Sequence, residues 1–288
     1  MRTDCPGGET GDDVSTAWTL ILTTLAAAGL VMTAAAAWSY RRRRYAVVDV
    51  AWGAAFAVTA VAAAVTAMLV GAPGGLRRWL LVGLVGVWGL RLARHLWSRV
   101  VRSAHDDPRY EQLLGGPFRE VPFATVVRKV FLLQGLAVAL VSAPVVVGLG
   151  TETHWWWAVA LGVVLWAAGL IFEAVGDAQL ASYKRDPDRR PVLDTGLWAW
   201  SRHPNYFGDA CVWWGLWLVG GVGAGWIAGL ATLPAPIVMT WFLAVATGAR
   251  PTERRMEGRP GWDVYAARTP MFLPHPPQSR AQRRRTSS

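Results

Sequence analysis

Carboxylate and amide side chains stand four residues apart in two apolar stretches, and this spacing is the first sign of chemistry. Glu173 and Asp177 lie near the end of one stretch, and Asn205 and Asp209 lie near the start of the next. Residues four apart share one face of a helix, and two stacked carboxylates repel each other unless a cation, a proton or a donor-rich ligand intervenes. The spacing therefore predicts a polar site, although side chains that simply reach water would give the same pattern.

The second stretch is preceded by a basic pair, Arg202 and His203. Pro204 suits the first turn of a helix, and Gly208 allows another backbone or a flat ligand to approach closely. Taken singly, the two basic residues are typical of an anchor at a membrane surface. Together with Tyr206 and the neighbouring amide and carboxylates, they predict a donor-rich cleft that fits a phosphorylated, amide-bearing cofactor.

Ionisable residues also occur within earlier apolar stretches. Asp49 lies about one turn inside the second stretch, and Arg91, Arg94 and His95 lie deep in the third. Such residues are expensive in a membrane and are functional candidates by default. An ion pair between Asp49 and Arg91 and a role in a substrate site are both open. The acids and the histidine in the following loop lack the spacing of a metal site, so no metal is predicted.

The elements that must position these residues are membrane-spanning helices. The 288 residues are 53% hydrophobic and 17% charged, with two cysteines, which excludes a soluble doubly wound enzyme, a disulfide scaffold and a disordered chain. A span needs about 20 apolar residues. Seven stretches qualify: 16–38, 46–70, 79–98, 124–149, 155–176, 206–229 and 231–248. The predicted fold is an all-α, seven-helix integral membrane bundle.

The cations orient this bundle. Basic loops stay in the cytoplasm, so Arg41 to Arg44 place the N-terminus outside and the C-terminus in the cytoplasm. The outer segments then hold only Arg2, Arg77 and Arg78 of the 29 basic residues. This asymmetry explains the net charge of +10 without nucleic acid and makes membrane lipids the expected partners. The predicted location is a bacterial plasma membrane.

Three segments follow from these boundaries. Residues 1–15 form an extracytoplasmic N-terminus, residues 16–275 the membrane domain with its catalytic half at about 124–275, and residues 276–288 a basic disordered tail. The stretch around Trp262 and Tyr265 predicts a short amphipathic helix, which is either a membrane-surface helix or a lid on the cleft. No glycine-rich nucleotide fingerprint lies at a strand-to-helix turn, so any nucleotide is held by the bundle itself.

Several motifs together resemble a known family. Ser201-Arg-His-Pro-Asn-Tyr-Phe-Gly-Asp, with Gly196-Leu-Trp before it and Trp213-Trp-Gly after it, is similar to the core of the steroid 5α-reductase-like membrane proteins and, more narrowly, of the bacterial family DUF1295. The other motifs in the same order are Val48-Asp-Val-Ala-Trp-Gly, Trp88-Gly-Leu-Arg-Leu, Asp107-Pro-Arg-Tyr, Glu173 with Asp177-Ala-Gln-Leu, and Tyr265-Ala-Ala-Arg-Thr-Pro-Met-Phe-Leu-Pro. The resemblance covers about residues 40–275. Sterol C14- and C7-reductases share a similar run.

The resemblance implies a membrane reductase of the 3-oxo-5α-steroid 4-dehydrogenase type. It would hold NADPH in a cytoplasm-facing cavity and reduce the C=C bond of a lipophilic enone. Asn205 and Asp209 would hold the nicotinamide end, with Glu173 and Asp177 as the polar pair on the preceding helix. Arg202 would suit the phosphates. His203 and Tyr206 complete the predicted cofactor site.

The substrate end departs from the family pattern. Steroid 5α-reductases grip the substrate carbonyl with a Glu and a Tyr on early helices, and neither aligns securely here. Asp49 and Tyr45 are the nearest substitutes by position and are the predicted catalytic residues. The substrate is a steroid, an isoprenoid or a fatty-acyl lipid, and the oligomeric state is left open.

Two alternatives compete with the reductase. Isoprenylcysteine and phospholipid methyltransferases also place an Arg-His-Pro-x-Tyr run at a span entrance, where they bind S-adenosylmethionine. They tend to have an apolar residue at the position of Asn205 and an adjacent Glu-Glu pair, whereas Glu253 and Glu257 are separated here. A non-enzymatic membrane protein such as a transporter would instead line a path from face to face with polar residues.

Overall fold

The computed structural model describes residues 9–102 and 106–277, and every regular element in these residues is helical. The α-helices are, in chain order, α1 (Glu9–Arg42), α2 (Val47–Leu69), α3 (Gly75–Arg102), α4 (Pro108–Leu114), α5 (Phe123–Val126), α6 (Leu133–Val141), α7 (Ala143–Gly150), α8 (Trp156–Arg185), α9 (Pro204–Gly220), α10 (Trp226–Thr232), α11 (Pro234–Trp241), α12 (Ala249–Arg254) and α13 (Trp262–Arg268). The absence of strands from this part of the chain agrees with the predicted all-α class.

Six helical stretches in the described ranges are long and apolar enough to cross a membrane, where the sequence predicts seven. They are Val14–Arg42, Val47–Leu69, Gly75–Val101, Phe123–Val141, Trp156–Arg185 and Trp226–Arg254. The chain is therefore compatible with a multi-pass integral membrane protein. The stretch that is not among them is α9, whose 17 residues replace the predicted span 206–229.

Glycines end α9 nine residues earlier than predicted. After Gly220 the chain makes a short 3₁₀ turn, Val222–Ala224, and reaches Gly225, whose φ of +114° is a conformation that glycine adopts far more readily than other residues. Gly220 itself lies directly against the backbone of Pro144. An apolar run through these glycines reads as one span, but the backbone turns within it.

The predicted fourth span, 124–149, is also divided. A π-helical turn, Val127–Leu132, joins α5 to α6, and α6 ends at Val141. Pro144 then lies in the first turn of α7, since a proline inside a continuous helix would clash with the preceding turn and leave a carbonyl without its donor. The candidate span is accordingly the shorter stretch Phe123–Val141.

The chain forms two compact units: residues 1–160 with 216–235, and residues 161–215 with 236–288. Most of the predicted N-terminal segment 1–15 and of the predicted tail 276–288 lies outside the described residues. The candidate catalytic residues of the substrate end fall in the first unit. The candidate cofactor residues fall in the second.

In the first unit, α2 and α3 meet through two glycines. A Cβ on Gly53 would lie 2.5 Å from the carbonyl oxygen of Gly89, and a Cβ on Gly89 would lie 2.5 Å from that of Gly53. Trp88 is fully buried beside this contact and packs edge-on against Phe56. Both glycines belong to motifs that the sequence analysis singled out, and close packing is the physical reason for them.

Arg77 and Arg78, two of the three arginines predicted for the outer side of the membrane, are buried structural residues of this unit. Arg77 donates to the carbonyl oxygens of Thr151 and Glu152, both at 2.8 Å, and Arg78 donates to that of Leu149 at 2.9 Å. These acceptors lie at or just beyond the C-terminal end of α7, where the helix dipole favours a cation. The two cations therefore stabilise a helix end.

In the second unit, α8 and α9 also meet at glycines. A Cβ on Gly208 would lie 2.5 Å from the backbone nitrogen of Glu173 and from the carbonyl oxygen of Gly169. Seven residues further along α9, a Cβ on Gly215 would lie 2.6 Å from the carbonyl oxygen of Gly162. Two turns of α9 are thus in backbone contact with α8, and this contact sets the positions of the polar side chains between them.

Gly215→Ala should destabilise the protein, because the added methyl group meets backbone atoms that cannot move aside. Overpacking of this kind costs about 1–3 kcal/mol. Gly83→Ala is the matched control, since nothing lies within 4 Å of a Cβ at that helical position. We expect thermal unfolding in detergent to show a lower midpoint for Gly215→Ala and an unchanged or higher one for Gly83→Ala. Equal midpoints would contradict the close helix contact.

Candidate functional site

Four predicted polar residues lie together in the second unit. Glu173 and Asp177 on α8 are 3% and 8% exposed, and Asp209 on α9 is 7% exposed. Asn205 donates from Nδ2 to Oδ1 of Asp177 at 3.1 Å, which links the two helices directly. The two i,i+4 pairs recognised in the sequence therefore form one buried, acid-rich cluster.

The amide oxygen of Asn205 is an unused hydrogen-bond acceptor. A carboxylate only accepts hydrogen bonds, so the contact with Asp177 assigns the Nδ2 end of the amide to that side. The opposite atom, Oδ1 of Asn205, is buried and has no hydrogen-bond partner among the described residues. A buried carbonyl of this kind is expensive to leave unpaired. It fits a ligand that brings an N–H group, as a carboxamide does.

The loop before α9 is fixed to the last turns of α8. The indole nitrogen of Trp198 donates to the carbonyl oxygen of Gly176 at 3.1 Å, and the backbone nitrogen of Leu197 donates to Oε1 of Gln179 at 3.0 Å. Gly196 has a φ of +61°, and a Cβ there would lie 2.5 Å from the amide of Gln179. The glycine turn predicted from Gly196-Leu-Trp is required for this fit.

Arg202 makes a structural ion pair that the sequence did not predict. Its Nε and Nη2 donate to Oε1 and Oε2 of Glu253 at 2.7 and 3.0 Å, a bidentate geometry typical of strong arginine–carboxylate pairs. Its Nη1 donates to the carbonyl oxygens of Ala266 and Thr269 at 2.6 and 2.8 Å. Most of the guanidinium donors expected to hold phosphates are thus engaged within the protein.

The C-terminal segment is tied to the same stretch. The backbone nitrogen of Arg202 donates to the carbonyl oxygen of Pro270, and Ser201 Oγ donates to that of Phe272, both at 2.9 Å. Tyr265 donates to the carbonyl oxygen of Trp198 at 2.7 Å, and burial raises the pKa of Tyr265, so the phenol keeps its proton for this contact. Residues 262–275 therefore fix the entrance of α9.

His203 and Tyr206 lie in the motif between Arg202, which contacts the C-terminal segment, and Asp209 of the acidic cluster. His203 is 4% exposed, and its Nε2 lies 3.2 Å from Oε1 of Glu253. Its ring stacks on Tyr206 with centroids 5.4 Å apart and planes nearly parallel. The pair forms a flat aromatic surface beside Asn205, the next polar residue of the motif.

The predicted residue Asp49 lies in a second network, in the first unit. Its Oδ1 accepts from the hydroxyl of Tyr110 at 2.5 Å, and its Oδ2 accepts from Nη2 of Arg109 at 3.2 Å. The structure thus gives Arg109 the cationic role that the sequence considered for Arg91. Gln134 donates from Nε2 to the Tyr110 oxygen at 3.4 Å. A carboxylate, a phenol and a guanidinium meet at the start of α2.

The loop acids hold this network in place. Asp107 caps α4 by accepting from the backbone nitrogen of Arg109, and it also accepts from the guanidinium groups of Arg99 and Arg109 at 2.9 Å. Burial disfavours its charged form, but the hydrogen bonds and charge of Arg109 outweigh burial and hold the pKa of Asp107 below its usual value. Asp106 accepts from the backbone nitrogens of Tyr45 and Ala46 at the start of α2, where a negative charge is favoured.

Tyr45 and Tyr110 have different surroundings. Tyr45 is fully buried, donates to the carbonyl oxygen of Gly116 at 3.2 Å and packs on Phe118. Tyr110 instead contacts Asp49, and burial followed by the charge of Asp49 raises its pKa well above the usual value. Sequence reasoning did not name Tyr110 as a partner of Asp49. The available signal was Asp107-Pro-Arg-Tyr, a helix start that places the tyrosine in the first turn of α4.

Glu253→Gln should destabilise the second unit, because the amide leaves Arg202 without its charged, bidentate partner. Breaking a buried pair costs about 3–5 kcal/mol. Glu257→Gln removes the same charge four residues away at an exposed position and is the control. We expect a lower thermal unfolding midpoint only for Glu253→Gln. Similar midpoints for both variants would mean that the ion pair adds no stability.

Comparison with known families agrees with the motif analysis. The family described as protein of unknown function (DUF1295) matches residues 35–269, which is most of the chain and includes both networks. No curated protein and no solved structure matches the sequence. The chain belongs to the DUF1295 family.

Proposed function

We propose that this protein is a membrane-embedded, NADPH-dependent reductase of a C=C bond in a lipophilic enone. The observation that carries the proposal is the buried cluster on α8 and α9, in which an amide acceptor is left unpaired beside three carboxylates. Membership of DUF1295, a family similar to the steroid 5α-reductases, supports the reductase class. The substrate class is a steroid, an isoprenoid or a fatty-acyl lipid.

The cluster fits the nicotinamide end of the cofactor. NADPH, when bound, supplies the hydride that reduces the C=C bond. Asn205 would accept an N–H of the carboxamide at Oδ1, while its own Nδ2 is oriented by Asp177. When ionised, Glu173 and Asp209 would favour a ring that becomes positive as it loses hydride. The protein thus positions the cofactor and polarises the substrate, and the cofactor carries out the redox chemistry.

Arg202 would act on the site as a positioning residue. Its guanidinium binds Glu253 and two backbone carbonyls, so it fixes the entrance of α9 to the C-terminal segment. The positions of His203 and Asn205, which come next in the chain, are therefore fixed as well. Phosphate groups of a nucleotide would have to be held largely by other cations.

Asp49 and Tyr110 are the proposed catalytic pair at the substrate carbonyl, with Tyr110 in place of Tyr45. Tyr110 is protonated at neutral pH, so its hydroxyl can donate a hydrogen bond to a carbonyl oxygen that becomes negative. Donation to the substrate requires that the hydroxyl exchange its present acceptor, Asp49. Arg109 lies beside the phenol, and its positive charge would stabilise the negative charge that develops on the carbonyl oxygen.

We also propose seven spans, with the N-terminus outside, the C-terminus in the cytoplasm and the protein in a bacterial plasma membrane. The 17 residues of α9 give a length of about 25 Å, near the lower limit for a span. The basic residues support the orientation, because 26 of the 29 fall on one side of such an arrangement.

NADPH should raise the thermal unfolding midpoint of the detergent-purified protein, because a ligand that binds the folded state stabilises it. NADH and S-adenosylmethionine, added separately, should give smaller shifts. Asn205→Ala should weaken NADPH binding about tenfold through the loss of one buried hydrogen bond. Gln112→Ala, which removes an exposed amide in α4, is the control. A shift with S-adenosylmethionine alone would assign the site to a methyltransferase instead.

Tyr110→Phe should lower the turnover of an enone substrate about a hundredfold or more while leaving NADPH binding unchanged, because only the proton donor is lost. Tyr45→Phe is the matched control, since it removes a hydroxyl that binds the carbonyl oxygen of Gly116. NADPH oxidation coupled to reduction of a panel of lipid enones would measure the effect. A larger loss for Tyr45→Phe would return the catalytic role to Tyr45.

A further inference from the structure

The second unit contains a basic cleft outside the polar cluster of Glu173, Asp177, Asn205 and Asp209. Its volume is about 470 Å³. The lining residues are Tyr183, Lys184, Pro187, Arg189, Arg190, Pro191, Arg259 and Pro260. Every charged side chain in this lining is a cation, and three prolines limit the motion of its walls. The cleft therefore presents a positive surface.

For Arg189 and Arg190, the nearby acids neutralise little of this charge. Arg190 lies 3.6 Å from Asp194, but its side chain is 77% exposed, and ion pairs at such positions contribute little. Arg189 donates to the backbone carbonyl of Asp186, which leaves the charge of the guanidinium unpaired by that contact. The side chains of Asp186 and Asp188 belong to the same loop but do not line the cleft. An anion with two or more oxygens is the ligand that suits several converging cations.

The length of α8 indicates the depth of the cleft in a membrane. Helix α8 carries exposed tryptophans, Trp156 and Trp157, at its N-terminal end, as expected at a membrane interface. Lys184 lies 28 residues further along the helix, a distance of about 42 Å. A bilayer with its headgroups is about 40–45 Å thick. The cations at this end of α8 therefore reach the level of the phosphates in the opposite leaflet.

The chain next to the cleft has the character of a membrane surface. Helix α13, which follows Pro260, buries Trp262 and Tyr265 against Val192. On its other side Val264 is 67% exposed, and Leu273 in the following segment is 70% exposed. Exposed apolar side chains beside a cluster of cations are the pattern by which proteins bind anionic lipid surfaces.

We propose that this cleft binds the phosphate group of an anion, which its depth identifies as an anionic phospholipid headgroup. Three of its cations, Lys184, Arg189 and Arg259, contact the phosphate oxygens. The proposal does not depend on the reductase activity. The same chemistry would accept the phosphate of a soluble nucleotide, and the experiment separates the two sources.

The test compares the full-length wild type with two triple variants in neutral detergent. The cleft variant is Lys184→Gln, Arg189→Gln and Arg259→Gln. The control variant removes three exposed cations of the first unit, Arg119→Gln, Arg128→Gln and Lys129→Gln. Phosphatidylglycerol, phosphatidylcholine, NADPH and inorganic phosphate are added separately, and the shift of the thermal unfolding midpoint is measured for each.

We expect phosphatidylglycerol to stabilise the wild type and the control variant more than phosphatidylcholine does, and the cleft variant to lose at least half of that difference. A loss confined to NADPH and inorganic phosphate would keep the phosphate site but assign it a soluble ligand. Equal shifts for the cleft and control variants with every ligand would overturn the proposal. If the triple cleft variant does not fold, Arg259→Gln alone is compared with Arg119→Gln by the same criteria.

Discussion

Backbone meets backbone where α8 crosses α9, and the polar chemistry of the second unit depends on this contact. In hydrocarbon the burial of apolar side chains does not drive helices together, so association relies on close packing and on polar contacts. Gly169 and Gly208 permit the approach, because a Cβ on either would collide with the other helix. The approach in turn lets Asn205 reach Asp177 directly. Packing and chemistry are therefore set by the same few residues.

The first unit repeats this arrangement. Gly53 and Gly89 bring α2 against α3, and Asp49 stands four residues before Gly53, on the same face of its helix. Glu173 likewise stands four residues from Gly169. A glycine crossing one turn away thus places each acid at a helix–helix contact, shielded from lipid. There a partner such as Arg109 can offset the cost of burying the charge.

Spacing along the sequence predicted which residues share a helix face, but it did not predict contacts between residues far apart in the chain. The four-residue spacings gave the cluster around Asn205, and the apolar runs gave six of the spans. The end of α9 at Gly220 was missed because hydropathy does not register a backbone turn made by glycines. The partners of Asp49 and Arg202 were missed because they lie 60 and 51 residues away. Periodicity identifies which residues share a helix face, but it does not identify the residues from distant parts of the chain that contact this face.

The contacts that Arg202 makes with Glu253 and the C-terminal segment separate two roles within one motif. An Arg-His-Pro-x-Tyr run is compatible with both the proposed reductase and the alternative methyltransferase, although their cofactors differ. Here the arginine binds Glu253 and the carbonyl oxygens of the C-terminal segment, a structural task that suits any ligand. Asn205 is the first residue of the run whose side chain enters the polar cluster, and it brings both a donor and an unpaired acceptor. Under the proposed function, position 205 would decide the choice of cofactor, while Arg202 fixes the entrance of the helix.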